Sequence, residues 1–180
     1  TPVLAEESRL VDDGNLLSAA TRERLNALLG KLERDTDIKL RVICPPPGLQ
    51  QSNEKWRDYL RPISKRWGLN QSSVVIVADE PAPSRSQIQG GPKQIGWVSI
   101  TAGSKLQERF QYTFTKDYIL RTASAFGGLD YVRAQGIDAA TRGATENIVA
   151  ALYDLLDRRA TSLPRVVRGL REPIAADEVA

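Results

Sequence analysis

The segment SSVVIVAD, residues 72–79, decides the fold of this chain. Its apolar residues, most of them β-branched, form an unbroken run between two serines and an aspartate. Such a run is typical of a strand that is buried on both faces of a sheet, and sheets of this kind carry helices on each face. The segment therefore predicts the central strand of an α/β domain, with Asp79 at its carboxyl end.

Two further strands are predicted around this one. KLRVIC, residues 39–44, is β-branched and alternating, and it stops at three consecutive prolines, which cannot donate to a ladder. QIGWVSIT, residues 94–101, follows a Pro- and Gly-rich excursion over residues 80–92 and is turned by Gly103. LVDDGNLLS, residues 10–18, is predicted as an acidic turn.

The first half of the chain also predicts two helices. Ser18 is a candidate N-cap for the first helix, which should end near residues 35–37 and has an apolar stripe formed by Leu25, Leu28, Leu29 and Leu32. Ser52 is a candidate N-cap for the second helix, which ends at Gly68. Because proline fits poorly inside a helix, we expect a kink or a break at Pro62.

The second half is predicted to be helical. Residues 106–126 have aromatic and aliphatic side chains at helical spacings, and a short helical piece over residues 129–135 ends at Gly136. Asp138 can N-cap the last helix, whose apolar stripe contains Ile148, Ala151, Leu152, Leu155 and Leu156.

This order of elements predicts a three-layer α/β/α sandwich. Two strands joined through a helix imply a right-handed parallel crossover, so the sheet should be small and mainly parallel. We divide the chain into an N-terminal arm (residues 1–9), the α/β domain (residues 10–159) and an Arg- and Pro-containing C-terminal tail (residues 160–180).

The composition excludes several classes of function. The 180 residues contain no histidine, which rules out Ser-His-Asp triads, Cys-His nucleophiles and His-ligated zinc. No apolar run is long enough to span a membrane. The net charge is +3, but the basic residues are scattered among acids, so we expect no nucleic-acid partner. The absence of methionine predicts a processed N-terminus.

The candidate site residues are aspartates. Asp79 follows a central strand, at the end of the sheet where open α/β domains bind ligands. Asp12 and Asp13, in the turn before the first helix, could join it around a hard cation such as Ca²⁺ or Mg²⁺. The structural alternative is that Asp12 or Asp13 orders a turn, Asp79 solvates a strand end and Asp138 caps a helix. We favour this alternative, because a hard-metal site needs several convergent oxygens.

Two other features predict no chemistry. Cys44 stands in an apolar strand without a neighbouring base, so we expect a buried structural thiol. The glycine pairs at residues 90–91 and 127–128 lack the strand and Lys-Ser or Lys-Thr context of a phosphate loop.

Four segments resemble, in this order, the TPM domain family. They are VDDGNLLS (residues 11–18), LERDTDIKLRV (residues 32–42), WGLNQSSVVIVAD (residues 67–79) and YVRAQGIDAATRGATENIVAALYDLL (residues 131–156). The resemblance covers about residues 9–159 and is greatest to the thylakoid-lumen proteins of the fifteen-kilodalton type. It implies a Rossmann-like α/β/α sandwich in the chloroplast thylakoid lumen, peripheral to the membrane. The excursion after Asp79 is longer than in those relatives, and the tail after Arg159 has no equivalent in them.

The resemblance also implies a function. It predicts a protein that binds photosystem subunits on the lumenal side of the membrane, in the assembly, repair or stabilisation of photosystem II. We expect this role to be non-catalytic. Some TPM proteins are weak acid phosphatases or cation binders, and Asp12 and Asp79 match the recurrent acids of the family. A metal-assisted acid phosphatase that uses these two residues is therefore the alternative.

Overall fold

The structure of the protein is a computed structural model, which describes residues 8–49, 52–79, 97–112, 114 and 118–156. The strands are β1 (Leu10–Asp12), β2 (Lys39–Cys44), β3 (Ser73–Ala78) and β4 (Val98–Ala102). The helices are α1 (Ala19–Thr36), α2 (Asn53–Trp67), α3 (Ser104–Tyr112), α4 (Leu120–Gly127) and α5 (Leu129–Leu155). The predicted excursion, the predicted tail, most of the predicted arm and the start of the predicted third strand lie outside the described residues.

The strands form one sheet in the order β1-β2-β3-β4. β1 and β3 both pair with β2 in parallel, whereas β4 pairs with β3 antiparallel. The sheet is therefore mixed and mainly parallel, as the sequence predicted. Two parallel pairs place the carboxyl ends of β1, β2 and β3 at one edge of the sheet.

β1 corrects the prediction of a turn over residues 10–18. Leu10 lies opposite Val42, and Asp12 lies opposite Cys44. The turn begins only after Asp12. Three residues are too few to show an alternating pattern, and the partner strand lies some 30 positions further along the chain, so nothing local marks this segment as a strand.

The sheet is covered by helices on both faces, which confirms the α/β/α prediction. The even-numbered residues of β2 and β3 pack against α1, α4 and α5 in the larger core. Ile43 and Val77 point to the opposite face, where they pack with Trp67 and other side chains of α2. This division follows from the alternation of side chains along a strand.

α1 has the predicted boundaries and the predicted buried stripe. The Ser18 hydroxyl accepts a hydrogen bond from the Thr21 N–H, and Asp37 ends the helix in the left-handed conformation. Leu25, Leu29 and Leu32 are fully buried, and burial of each such side chain contributes about 2 kcal/mol to folding.

α2 is not broken at Pro62, so the predicted break is wrong and only the kink stays a prediction. The helix begins at its Ser52 cap, continues through Pro62 and ends at Gly68 in the left-handed conformation. Proline removes only one backbone hydrogen bond from a helix. Ile63 and Trp67, which follow Pro62, both pack against the sheet and hold the last turns in place.

The last third of the described chain is helical, as predicted. Two helices, α3 and α4, occupy the region predicted as one helix over residues 106–126, and the described residues between them, 114, 118 and 119, are π-helical. In α5 the predicted stop at Gly136 is confirmed as a non-helical residue, with φ 88° and ψ 160°, between two helical segments. Among the described helices, none is both long enough and apolar enough to cross a membrane.

Candidate functional site at the carboxyl edge of the sheet

The register of the parallel strands brings acidic residues to one edge. Asp12 lies opposite Cys44, and Ile43 lies opposite Val77, so Asp79 follows just beyond the level of Cys44. The loop from β1 to α1 crosses the same edge, where the Gly14 N–H donates to the Cys44 carbonyl at 2.8 Å. We call the loop residues 12–18, together with Cys44, Asp79 and Asp138, the carboxyl-edge site.

Asp12 organises the loop that follows it. Its Oδ1 accepts the Leu16 N–H at 2.8 Å, and its Oδ2 accepts the Leu17 N–H at 2.9 Å. The Arg22 guanidinium also contacts Oδ2, at 3.2 Å. The side chain is only 3% exposed, so these contacts replace water around a buried carboxylate. Asp12 therefore has the turn-ordering role that the structural alternative assigned to it.

Asp13 points to a different neighbour. Asp13 is exposed, and its Oδ2 accepts a 2.7 Å hydrogen bond from the hydroxyl of Tyr59 on α2. Burial of the Tyr59 ring raises the pKa of that phenol, and the hydrogen bond to Asp13 raises it further. The pair joins the first loop to the helix on the opposite face of the sheet.

Close packing explains the Gly14-Asn15 turn. A Cβ on Gly14 would lie 2.5 Å from the Pro45 carbonyl oxygen, so any larger residue would displace the strand end. Asn15 adopts the left-handed conformation, with φ 53°, which asparagine tolerates well. The loop segment DDGN, residues 12–15, therefore packs closely against the end of β2.

Asp138 joins this edge from α5. Its Oδ1 accepts the Ser18 N–H at 3.0 Å, and its Oδ2 accepts the Thr21 hydroxyl at 3.0 Å. Arg142, one turn later, pairs with the same carboxylate at 3.7 Å. We predicted Asp138 as the N-cap of its own helix, but these contacts show that it anchors the N-terminus of α1 instead.

Asp79 is a buried acid, with the residue only 5% exposed. Its backbone N–H donates to the Trp97 carbonyl at 2.9 Å, which ties the end of β3 to the start of β4. We predicted that Asp79 could solvate a strand end; burial contradicts that role, because little of the residue reaches water.

Cys44 lies at the centre of this edge and is fully buried. Burial raises the pKa of its thiol far above the usual value, and the negative charges of Asp12, Asp138 and Asp79 raise it further. Three carboxylates thus lie close enough to influence one sulfur atom. A thiol in these surroundings stays protonated at neutral pH, so Cys44 is a structural residue, as predicted.

The predicted cation site would bring Asp12, Asp13 and Asp79 together around one ion. Among these residues, no group of three or more His, Cys, Asp or Glu side chains is arranged to hold a metal ion. β2 separates β1 from β3, so the backbones that carry Asp12 and Asp79 run about 9–10 Å apart. The Asp12 carboxylate faces its own loop, and that of Asp13 faces Tyr59. A metal site built from Asp12, Asp13 and Asp79 stays a prediction.

Glu146 is a further buried acid, which the sequence pattern did not single out. It lies on α5 with no exposed surface, and its Oε1 is 3.2 Å from the Arg24 Nε of α1. Burial raises the pKa of Glu146 to about 7, although Arg24 and Arg142 oppose this shift. A lone acid within the otherwise uncharged run of residues 143–153 was the available signal.

The sequence model of the TPM domain family matches residues 10–147. The chain belongs to the TPM domain family. This match covers well over half of the chain and includes every residue of the carboxyl-edge site. No curated protein matches the sequence.

One solved structure supports the fold of this TPM domain. It is the solution NMR structure of the N-terminal domain of a protein from P. gingivalis, with a TM-score of 0.59 and 16% sequence identity. The similarity covers 89% of this chain and 92% of the other. At this identity the two proteins share a fold, and nothing further about activity follows.

Proposed function

We propose that this TPM domain is a non-catalytic binding module that docks on a membrane-protein complex. The observation that carries the proposal is that the Asp12 carboxylate is already occupied by hydrogen bonds and an ion pair within the protein. Both of its carboxylate oxygens accept backbone N–H groups of its own loop, and Arg22 neutralises its charge. A carboxylate held in this way stabilises the scaffold and is poorly placed to act on a substrate.

The partner in this proposal is the lumenal side of photosystem II in a thylakoid membrane. This choice rests on the resemblance of four sequence segments to thylakoid-lumen TPM proteins. The chemistry around the site is compatible with a binding role, because the raised thiol pKa of Cys44 removes the strongest nucleophile near the edge.

Fractionation of native membranes tests the docking proposal. Thylakoids are solubilised in mild detergent, and the chain is followed on a sucrose gradient beside photosystem II subunits. We expect part of the chain to migrate with the complex and to return to the top of the gradient after a high-salt wash. Migration only as a free monomer would contradict the proposal.

A metal-assisted acid phosphatase is the second candidate function. It is favoured by Asp79, a buried acid at the carboxyl end of a central strand, and by the matched family model, whose name includes the word phosphatase. In this function a Ca²⁺ or Mg²⁺ ion near Asp79 would neutralise phosphate charge. Asp12 and Asp79 would hold the ion, and backbone carbonyls and water would complete its coordination.

An assay with a matched variant separates the two functions. Turnover of a generic phosphomonoester is measured with Ca²⁺, Mg²⁺ or Mn²⁺ for the parent chain, Asp79→Asn and the surface control Asp130→Asn. A phosphatase should lose most of its turnover only in Asp79→Asn. Equal turnover by all three proteins would exclude this site as the catalytic one.

A further inference from the structure

One flank of α2 forms a shallow, open depression along most of the helix. Its lining residues recur at intervals of three and four positions, which places them on one side of a helix. They are Asn53, Trp56, Arg57, Leu60, Arg61 and Ser64. We call this surface the α2 flank. Tyr59, which contacts Asp13, is not among its lining residues.

The floor of the α2 flank is apolar and held in place. Trp56 and Leu60 are partly buried and pack against the smaller core, on the sheet face opposite α1. The Trp56 ring stacks on the Tyr59 ring, with centroids 5.8 Å apart. The hydroxyl of Tyr59 is in turn fixed by Asp13. An aromatic side chain restrained in this way loses little freedom when it binds a partner.

The surroundings of this floor are cationic. α2 contains five basic residues and two acidic ones, and both arginines of the flank are exposed. Asp58 lies 3.7 Å from Arg61 in a solvent-exposed pair, which is a weak interaction. Within the described part of the chain, Arg57 has no acidic side chain within 4.0 Å. The flank therefore has positive charge that is available to a partner.

We infer that the α2 flank binds an acidic segment of a partner protein. Arg57 and Arg61 contact carboxylates of that segment, and an apolar side chain of the segment enters the depression over Trp56 and Leu60. Arginine suits this role because its guanidinium forms paired hydrogen bonds with a carboxylate. This inference rests on the proposed docking function and specifies the docking surface.

A peptide partner fits this surface better than a lipid surface does. A helix that lies on a membrane inserts its apolar side between the lipids. In α2 that side faces the sheet, where Trp67 is buried and Ile63 packs on the smaller core. The accessible part of the α2 flank is a depression beside Arg57 and Arg61. Aromatic and arginine residues at the centre of a surface are the usual anchors of protein interfaces.

Fluorescence anisotropy of the full chain tests the inference. The probe is a labelled peptide in which Glu and Asp alternate with Leu, and the comparison peptide replaces the acids by Gln and Asn. We expect the acidic probe alone to bind, and the double variant Arg57→Glu/Arg61→Glu to weaken its affinity by about tenfold or more. Trp56→Ala should weaken it as well, without a change in net charge.

The control variant is Lys105→Glu/Arg133→Glu, which makes the same change in net charge at exposed residues of α3 and α5. An equal loss of affinity in this control would overturn the inference, because it would indicate unspecific attraction. So would the absence of binding to the acidic peptide, or binding only to vesicles of anionic lipid. Circular dichroism of each variant establishes that it is folded.

The same variants keep the two proposals distinguishable. If the parent chain migrates with the membrane complex and Arg57→Glu/Arg61→Glu does so equally well, the α2 flank is not the docking surface, although the docking function stands. If the parent chain migrates only as a free monomer, the docking function itself fails.

Discussion

The carboxylate of Asp138 accepts a hydrogen bond from the backbone N–H of Ser18 at 3.0 Å, across 120 positions of sequence. Ser18 is also the N-cap of α1, so the residue that starts the first long helix is anchored by the last one. The same carboxylate accepts the Thr21 hydroxyl, one turn into α1. This contact fixes the position of α1 above the carboxyl edge of the sheet.

Asp138→Ala should lower the free energy of unfolding by about 1–3 kcal/mol, because it leaves two donors of α1 without their acceptor. Asp138→Asn should cost less, since an amide oxygen can replace one of the two interactions. Urea denaturation measures both values. The control is Glu23→Ala, at an exposed position of α1, which should stay within about 0.5 kcal/mol of the parent. An unchanged free energy of unfolding in Asp138→Ala would disprove the anchoring role.

Gly143→Ala should destabilise the packing of α5 on α4. A Cβ at this position would overlap the ring of Phe126, which is fully buried. Overpacking of this kind typically costs about 1–3 kcal/mol. Thermal unfolding of Gly143→Ala, Phe126→Leu and the double variant measures the coupling. The double variant should be less destabilised than the sum of the two single changes, and simple additivity would contradict the predicted contact.

Glu146 should make stability depend on pH near neutrality. Its pKa is raised from 4.5 to about 7 in the folded chain, so the folded state binds the proton more tightly than the unfolded state. The stabilisation is fully present below about pH 4.5 and is lost as the pH rises through about 7. Over this interval we expect a loss of about 1–3 kcal/mol attributable to this residue.

The measurement is the free energy of unfolding at several pH values for the parent chain and Glu146→Gln. In Glu146→Gln, the free energy of unfolding should lack most of the decrease between about pH 4.5 and about pH 7. Glu108→Gln, at an exposed position of α3, serves as the control and should keep the parent's profile. Identical profiles for the parent and Glu146→Gln would show that the buried carboxyl does not titrate in this range.

Cys44 should resist thiol reagents in the folded chain. Its side chain is fully buried and its raised thiol pKa leaves almost no thiolate at mildly alkaline pH. We expect iodoacetamide to modify it only as fast as the chain unfolds, and rapidly once urea is added. Mass spectrometry follows the reaction. Fast modification of the native chain would contradict the predicted surroundings of the thiol.

Sequence reasoning succeeded where the signal is local. The hydroxyls of Ser18 and Ser52 cap the helices that follow them, and Gly136 interrupts the last helix where its lack of a side chain allows a positive φ. The run ending in Asp79 also formed the predicted strand, because a short run of β-branched residues favours a buried strand. Each of these features depends on a few neighbouring residues.

The sequence by itself therefore determined the α/β class, the helix caps and the membership of the TPM domain family. The tertiary structure alone decided what the acids do: Asp12 binds its own loop, Asp13 meets Tyr59, and Asp138 anchors α1. It also created the strand Leu10–Asp12 and buried Glu146 beside Arg24. The physical reason is that hydrogen bonds and burial between distant segments depend on strand register and helix packing, and spacing along the chain encodes neither.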